Sequence, residues 1–139
     1  MKPTGHLLTL ALCLLTALVT AAAPRKFTLQ SPSGTLRVEV AAADSITYRL
    51  YHGDDLMFGD SPLSLTIGDG RVLGAGDRLS GTSRRSADEK IVTPIYRKQS
   101  IEDKYNELTL RFKEYNIIFR AYDSGMAYRF ETTGRKPFT

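Results

Sequence analysis

From residue 24 onward the chain alternates apolar and polar positions with a period of two. In residues 35–40 the apolar positions are Leu36, Val38 and Val40, and in residues 46–51 they are Ile46, Tyr48 and Leu50. Leu63, Leu65 and Ile67 repeat the pattern in residues 61–67, as do Leu108, Leu110 and Phe112 further on. A side chain that returns to the same face every second residue marks a half-buried strand. Between these runs lie turn formers: Ser31-Pro32-Ser33-Gly34, His52-Gly53-Asp54-Asp55, Gly68-Asp69-Gly70 and Gly74-Ala75-Gly76-Asp77. No window carries a helical stripe. Short strands separated by turns at this spacing predict an all-β fold, an antiparallel sandwich or a barrel. Residues 80–90 hold Arg84, Arg85, Asp88, Glu89 and Lys90 without a large apolar residue, which predicts an exposed, solvated loop.

The last hairpin allows a finer expectation. Residues 116–122 and 126–131 flank Asp123-Ser124-Gly125. Pairing Tyr122 with Met126 across a three-residue loop would set Phe119 opposite Arg129. Pairing Ala121 with Met126, across a loop of residues 122–125, sets Phe119 opposite Tyr128 and Ile117 opposite Phe130. The other face then collects Ile118, Arg120, Tyr122, Ala127, Arg129 and Glu131. Register follows the face that is buried, so the second pairing is expected.

The first 23 residues have a different logic. Lys2, the apolar run of residues 7–19 and the small residues Ala21, Ala22 and Ala23 follow the order of a secretory signal peptide. The run is shorter than the roughly 20 residues needed to cross a bilayer, and no second one follows, so no membrane span is expected. Leu12 sits where a lipid-anchor signal at Cys13 would want a small residue. Cleavage near residue 23 removes Cys13, His6 and Lys2. The remainder then has no cysteine, one histidine (His52), and 18 basic residues, Lys2 being lost from 19, against 15 acidic. Export without disulfides calls for a real hydrophobic core, and residues 24–139 are enough for one domain. Thiolate chemistry and multi-histidine metal sites are excluded. The small positive surplus is no nucleic-acid footprint.

Chemistry-bearing groups are sparse. Glycoside hydrolysis normally uses two facing carboxyls. The available carboxylates are Asp54 and Asp55 in one turn, Asp123 in another, Glu102 and Asp103 ahead of a strand, and Glu107 opening it. Turn aspartates usually accept backbone N–H bonds instead. His52 stands at a strand exit beside a glycine turn. The glycines of residues 68–76 lack a following helix and a Lys-Ser/Thr pair, so they form no phosphate cradle. Tyr51, Tyr105, Tyr115 and Tyr122 are candidates for stacking on a sugar face, or for ordinary cross-strand packing, in a chain without Trp. The residues by themselves define an exported β-domain, and no catalytic, cofactor-binding or metal-binding residue is assigned.

Two stretches nevertheless carry a resemblance. Tyr105-Asn106-Glu107-Leu108-Thr109-Leu110 precedes Phe119-Arg120-Ala121-Tyr122-Asp123-Ser124-Gly125-Met126-Ala127-Tyr128-Arg129-Phe130. With the earlier Gln30-Ser31-Pro32-Ser33-Gly34-Thr35-Leu36 and Ser61-Pro62-Leu63-Ser64-Leu65, their order and spacing resemble the N-terminal domain of glycoside hydrolase family 97. Asp123-Ser124 replaces the usual Asn-Asp of the hairpin turn, with its turn chemistry kept. The resemblance implies part of a large mutarotase-like β-supersandwich in an exported α-glucosidase or α-galactosidase, periplasmic or extracellular. A catalytic (β/α)8 barrel of the same parent chain would be its partner, with oligosaccharide as a further ligand. That barrel would carry the catalytic carboxylates and most ligands of a bound calcium, so no such residue is transferred to this chain and no cofactor is expected in it. Residues 24–139 are thus expected to be an incomplete, non-catalytic accessory domain. The alternative is a free-standing exported module that binds carbohydrate or a protein.

Overall fold

A computed structural model describes residues 23–92 and 100–134. The expected leader and its cleavage region lie almost wholly outside the described residues. Ten strands are present: β1 Arg25–Gln30, β2 Leu36–Ala42, β3 Ile46–His52, β4 Asp55–Leu63, β5 Leu65–Thr66, β6 Val72–Leu73, β7 Gly81–Val92, β8 Ser100–Arg111, β9 Tyr115–Tyr122 and β10 Gly125–Thr132. β1 to β4 form one antiparallel meander and β7 to β10 a second, while β5 and β6 make a small hairpin between them. The architecture is all-β, as the alternating pattern predicts.

The two meanders pack face to face. Val38, Val40, Ile46 and Leu29 from the first meet Leu108, Leu110, Ile117 and Phe119 from the second, all of them buried. All but Leu29 are period-two positions read from the sequence, and burying each contributes about 1.5–3 kcal/mol. β1 lies over β8 and β9, and β2 lies over β9. The Tyr48 and Tyr128 rings, 5.9 Å apart, join β3 to β10. The sheets are therefore offset. The main contacts between the sheets run from β1 and β2 to β8 and β9, which leaves β4 at one end and β7 at the other on the margins of the packed face.

The expected hairpin register is the observed one: Met126 pairs with Ala121, Tyr128 with Phe119 and Phe130 with Ile117. The turn is tighter than the four-residue loop, because Gly125 also pairs with Tyr122 and leaves only Asp123 and Ser124 between the strands. Three other expectations need correction. Residues 80–90 are not a loop. All but Ser80 belong to β7, which pairs with β8 in unbroken register from Gly81↔Arg111 to Val92↔Ser100. Ladder hydrogen bonds come from the backbone, so an edge strand wet on both faces needs no apolar side chains, and the sequence carries no period to betray it. Glu102, Asp103 and Glu107 correspondingly lie inside β8 and do not precede or open it.

The expected strand over residues 61–67 is two strands. β4 ends at Leu63, and after Ser64 the chain turns into β5. Leu63 is buried, while Leu65 is exposed in a separate hairpin. Gly74 explains the close approach at this corner. Its φ is +85°, and a Cβ there would sit 2.6 Å from the Leu63 carbonyl oxygen. Any side chain would push β6 off the end of β4.

Candidate functional site

The most concentrated set of polar side chains lies on the outer face of the second sheet. Tyr105 and Glu107 of β8 point away from the core, as do Arg120 and Tyr122 of β9 and Arg85 of β7, because their odd or even neighbours fill it. The ladder pairs Arg85 with Glu107 and Glu107 with Arg120, so the three side chains form one row across three strands. Arg120 Nε donates to Glu107 Oε2 at 2.8 Å, and Arg85 Nε lies 3.5 Å from Oε1. The Arg120 guanidinium carbon stands 4.2 Å from the Tyr105 ring centroid. Tyr122 tilts against that ring at 5.3 Å, and Arg85 donates to the Tyr105 hydroxyl. The arginine stems lie over the sheet, leaving Glu107 only 9% and Tyr105 only 3% exposed.

This arrangement neutralises charge. Burial works against the Arg120 charge, yet its hydrogen bonds with Glu107 and Tyr122 outweigh that and hold the guanidinium above the ordinary arginine range. A glycosidase normally sets two carboxyls facing each other across the sugar. The charged groups that face Glu107 are two guanidiniums.

The remaining candidates serve the fold in separate places. Asp123 Oδ1 accepts from the Ser33 hydroxyl at 2.6 Å and from the Ser33 backbone N–H at 2.9 Å. These bonds hold its carboxyl below the usual aspartate range, and they fasten the β9–β10 turn to the β1–β2 turn of the opposite sheet. Asp54 is exposed in its turn, and Asp55 is exposed at the start of β4, paired in register with the exposed His52. Glu102 is exposed and Asp103 half-buried along β8. Asp60 pairs with Arg49 at 2.7 Å, and Asp69 pairs with Arg71 at 2.7 Å.

The tyrosines divide in the same way. The Tyr51 ring lies 3.9 Å below the Arg37 guanidinium. Tyr115 is buried and stacked on Phe112 at 4.7 Å. Its hydroxyl donates to Asp77 Oδ2 at 2.6 Å and accepts from the Gly74 N–H at 2.8 Å. Burial first, then the Asp77 carboxylate, pushes that phenol well above the ordinary tyrosine range. Tyr115 thus ties the β5–β6 hairpin to the second sheet, a role that packing statistics anticipate better than sugar stacking. Arg85, Arg120 and Asp77 were not among the candidates read from sequence. Arg120 was at least placed on the outward face by the hairpin register, but its partner depended on the β8–β9 pairing. Among the described residues no group of three or more His, Cys, Asp or Glu side chains is placed to hold a metal ion, and no helix is long and apolar enough to cross a membrane.

Comparison with known proteins gives this arrangement its context. Residues 29–138 match the family model described as Glycosyl-hydrolase 97 N-terminal. Over 139 residues the chain is 44% identical to a retaining alpha-galactosidase of Bacteroides thetaiotaomicron, an alignment that takes in 99% of this chain and 20% of that protein. The chain thus spans about a fifth of the length of this curated relative. Among solved structures it superimposes on a Glycoside Hydrolase Family 97 enzyme from Pseudoalteromonas sp., in complex with panose, with a TM-score of 0.67 and 21% identity. That match covers 76% of this chain and 17% of the other. A β-arabinopyranosidase gives the same TM-score at 20% identity, covering 76% of this chain and 18% of its own. At such identities the structural matches speak for the fold, whereas the family match extends over most of the sequence. The chain belongs to the N-terminal domain family of glycoside hydrolase 97.

Proposed function

We propose that this chain is the front, non-catalytic domain of an exported α-glycosidase, acting on α-galactosides or α-glucosides through a catalytic (β/α)8 barrel in the same polypeptide. The 44% identity to a retaining alpha-galactosidase across nearly the whole chain carries this reading and favours the galactoside. The fate of the carboxylates supports the non-catalytic part. Glu107, Asp60 and Asp69 are held by arginines, Asp88 by Lys104, and Asp123 by a serine of the other sheet. Each such bond fixes a strand or turn, and a domain whose acids are committed in this way is suited to buttressing a neighbour.

Export rests on the leader-like pattern of residues 1–23 and places the protein in the periplasm or outside the cell. Among the described residues no three His, Cys, Asp or Glu side chains cluster, so a calcium ion, which the family resemblance implies for the full-length enzymes, would take most of its ligands from elsewhere in the polypeptide. The test is direct. The full-length product of the gene is expected to hydrolyse p-nitrophenyl α-galactoside or α-glucoside, and residues 24–139 alone are expected to give no turnover. Turnover by residues 24–139, or a full-length product inactive on both, would overturn the reading.

A further inference from the structure

The outer faces of the two sheets differ at their centres. On the second sheet the centre is filled: Arg120 lies against Tyr105 and Glu107, and both are buried. On the first sheet the register sets Lys26, Ala41 and Thr47 in one row and Thr28, Glu39 and Arg49 in the next. These side chains point outward, because Val38, Val40, Ile46 and Leu50 beside them fill the core. Arg49 falls where the β3–β4 register shifts, between Tyr48↔Ser61 and Leu50↔Phe58, and the irregularity brings Asp60 opposite it. Ala41 and Thr47 are short, whereas Lys26, Glu39, Arg49 and Asp60 around them are long. The sheet consequently carries a depression of about 310 Å³ floored by the short pair and ringed by the charged four. Arg49 grips Asp60 with two bonds, Nε to Oδ1 and Nη2 to Oδ2, each 2.7 Å. That grip fixes the direction of the carboxylate but occupies one lone pair on each oxygen, and the Asp60 side chain stays 61% exposed. The Lys26 ammonium makes no hydrogen bond or ion pair among the described residues, and its charge adds to the larger effect of the Arg49 bonds in lowering the Asp60 carboxyl.

The charges around the depression balance, with Lys26 and Arg49 against Glu39 and Asp60. A free anion or cation placed there would meet its own sign as well as the opposite one, so neither is favoured. The ring suits a neutral molecule that carries hydrogen-bond donors and acceptors on adjacent carbons. The geometry points to a binding site for one or two rings of a neutral oligosaccharide on the outer face of the first sheet. Sugar hydroxyls donate to the free lone pairs of Asp60 and Glu39 and accept from Lys26 and Arg49, bonds that the ionised partners strengthen. The volume lies at the small end of ligand clefts, which run from about 300 to 1,000 Å³, and this limits the occupant to a short stretch of sugar. No aromatic ring paves the floor formed by Ala41 and Thr47, so affinity comes from hydrogen bonds rather than stacking and belongs in the millimolar range. The choice of an α-galactoside as the sugar rests on the proposed function, whereas the site itself rests on the depression and its ring of charges.

The site is tested on the full-length product with a thio-linked α-galactobioside, which resists hydrolysis. Thr47→Cys places a thiol in the floor of the depression, and Ser86→Cys places a reference thiol on β7. Labelling with iodoacetamide is read peptide by peptide by mass spectrometry. Sugar at about ten times its dissociation constant is expected to slow labelling at position 47 about tenfold, by mass action, and to leave position 86 unchanged. In the unsubstituted protein the same sugar is expected to slow deuterium exchange across residues 37–49, which guards against a Thr47 variant that has lost the site. Lys26→Met keeps the stem and removes the donor, and it is expected to raise the sugar concentration needed for that protection about tenfold. Unchanged labelling at position 47 together with unchanged exchange overturns the site. Hydrolysis of p-nitrophenyl α-galactoside by the same preparation would then show that the enzyme reading survives. Slowing by sodium acetate as strong as by the sugar also overturns it, in favour of an anion site. Protection at position 47 in a product that hydrolyses neither p-nitrophenyl glycoside would uphold the site and remove the enzyme reading instead.

Discussion

β4 and β7 occupy equivalent places, one at each overhanging end of the sandwich, and they solve the problem of exposure in opposite ways. β7 is polar on both faces along most of its length and cross-links to β8 through Asp88–Lys104 at 3.1 Å, Arg85–Glu107 at 3.5 Å and Ser86–Asn106 at 2.7 Å. β4 exposes Leu56, Met57 and Phe58 in succession and is bulged where it pairs with residues 48–51. A solvated edge strand gains its order from backbone bonds and charge. An apolar one that is exposed signals a partner, because burying those side chains elsewhere would cost nothing and leaving them in water gains nothing. β4 also differs along its own length, since Leu63 at its far end is 3% exposed beneath the β5–β6 hairpin.

That contrast can be broken at several points. The largest effect is expected at the covered end of β4: Leu63→Ala should lower unfolding free energy by about 2–5 kcal/mol, as large-to-small core changes do. Phe58→Ala should cost far less in residues 24–139 alone, and urea melts of the two variants measure the difference. Comparable losses at both positions would mean that Phe58 is already buried in the isolated domain.

At β7 the balance rests on charge. Glu107→Gln leaves Arg85 and Arg120 facing each other without their anion. Arg85 is 57% exposed, so the loss should fall below the 3–5 kcal/mol of a fully buried pair, at about 2 kcal/mol. Chemical denaturation checks it, and Glu107→Asp should recover part of the loss. A smaller change in stability but a visible change in behaviour is expected from Met57→Lys with Phe58→Lys. This pair gives β4 the character of β7 and should reduce self-association of residues 24–139, measured by light scattering.

The smallest effect comes from acid. Asp60, Asp69 and Asp123 have carboxyls lowered by hydrogen bonds with Arg49, with Arg71 and with Ser33 respectively. A depressed folded value means that the unfolded chain binds the proton more readily. The stability these groups contribute is complete above the ordinary aspartate value of about 3.9 and is lost as pH falls through the lower folded values. Thermal melts should therefore be flat from neutrality to about pH 5 and decline below about pH 4. Asp123→Asn should flatten part of that decline, because its link between the two turns no longer titrates.

The sequence determined the strands whose side chains alternate: β2, β3, β9 and β10 lie where Val38, Leu50, Ile117 and Met126 put them, and the register of the last hairpin follows from its apolar face alone. It also carried the family resemblance, since motif order survives without coordinates. β1 offers only Phe27 and Leu29 as alternating apolar residues, and β7 offers no apolar period, so neither is legible; strand pairing is a backbone property that side-chain chemistry does not record when both faces meet water. The partners of Glu107 and Asp123 likewise had to wait for the fold, because they come from other strands or from the opposite sheet. Tertiary structure decided which apolar positions stay exposed. Phe58 and Leu63 have the same character in sequence and lie on one strand, yet Leu63 is buried beside the β5–β6 hairpin while Phe58 stays exposed.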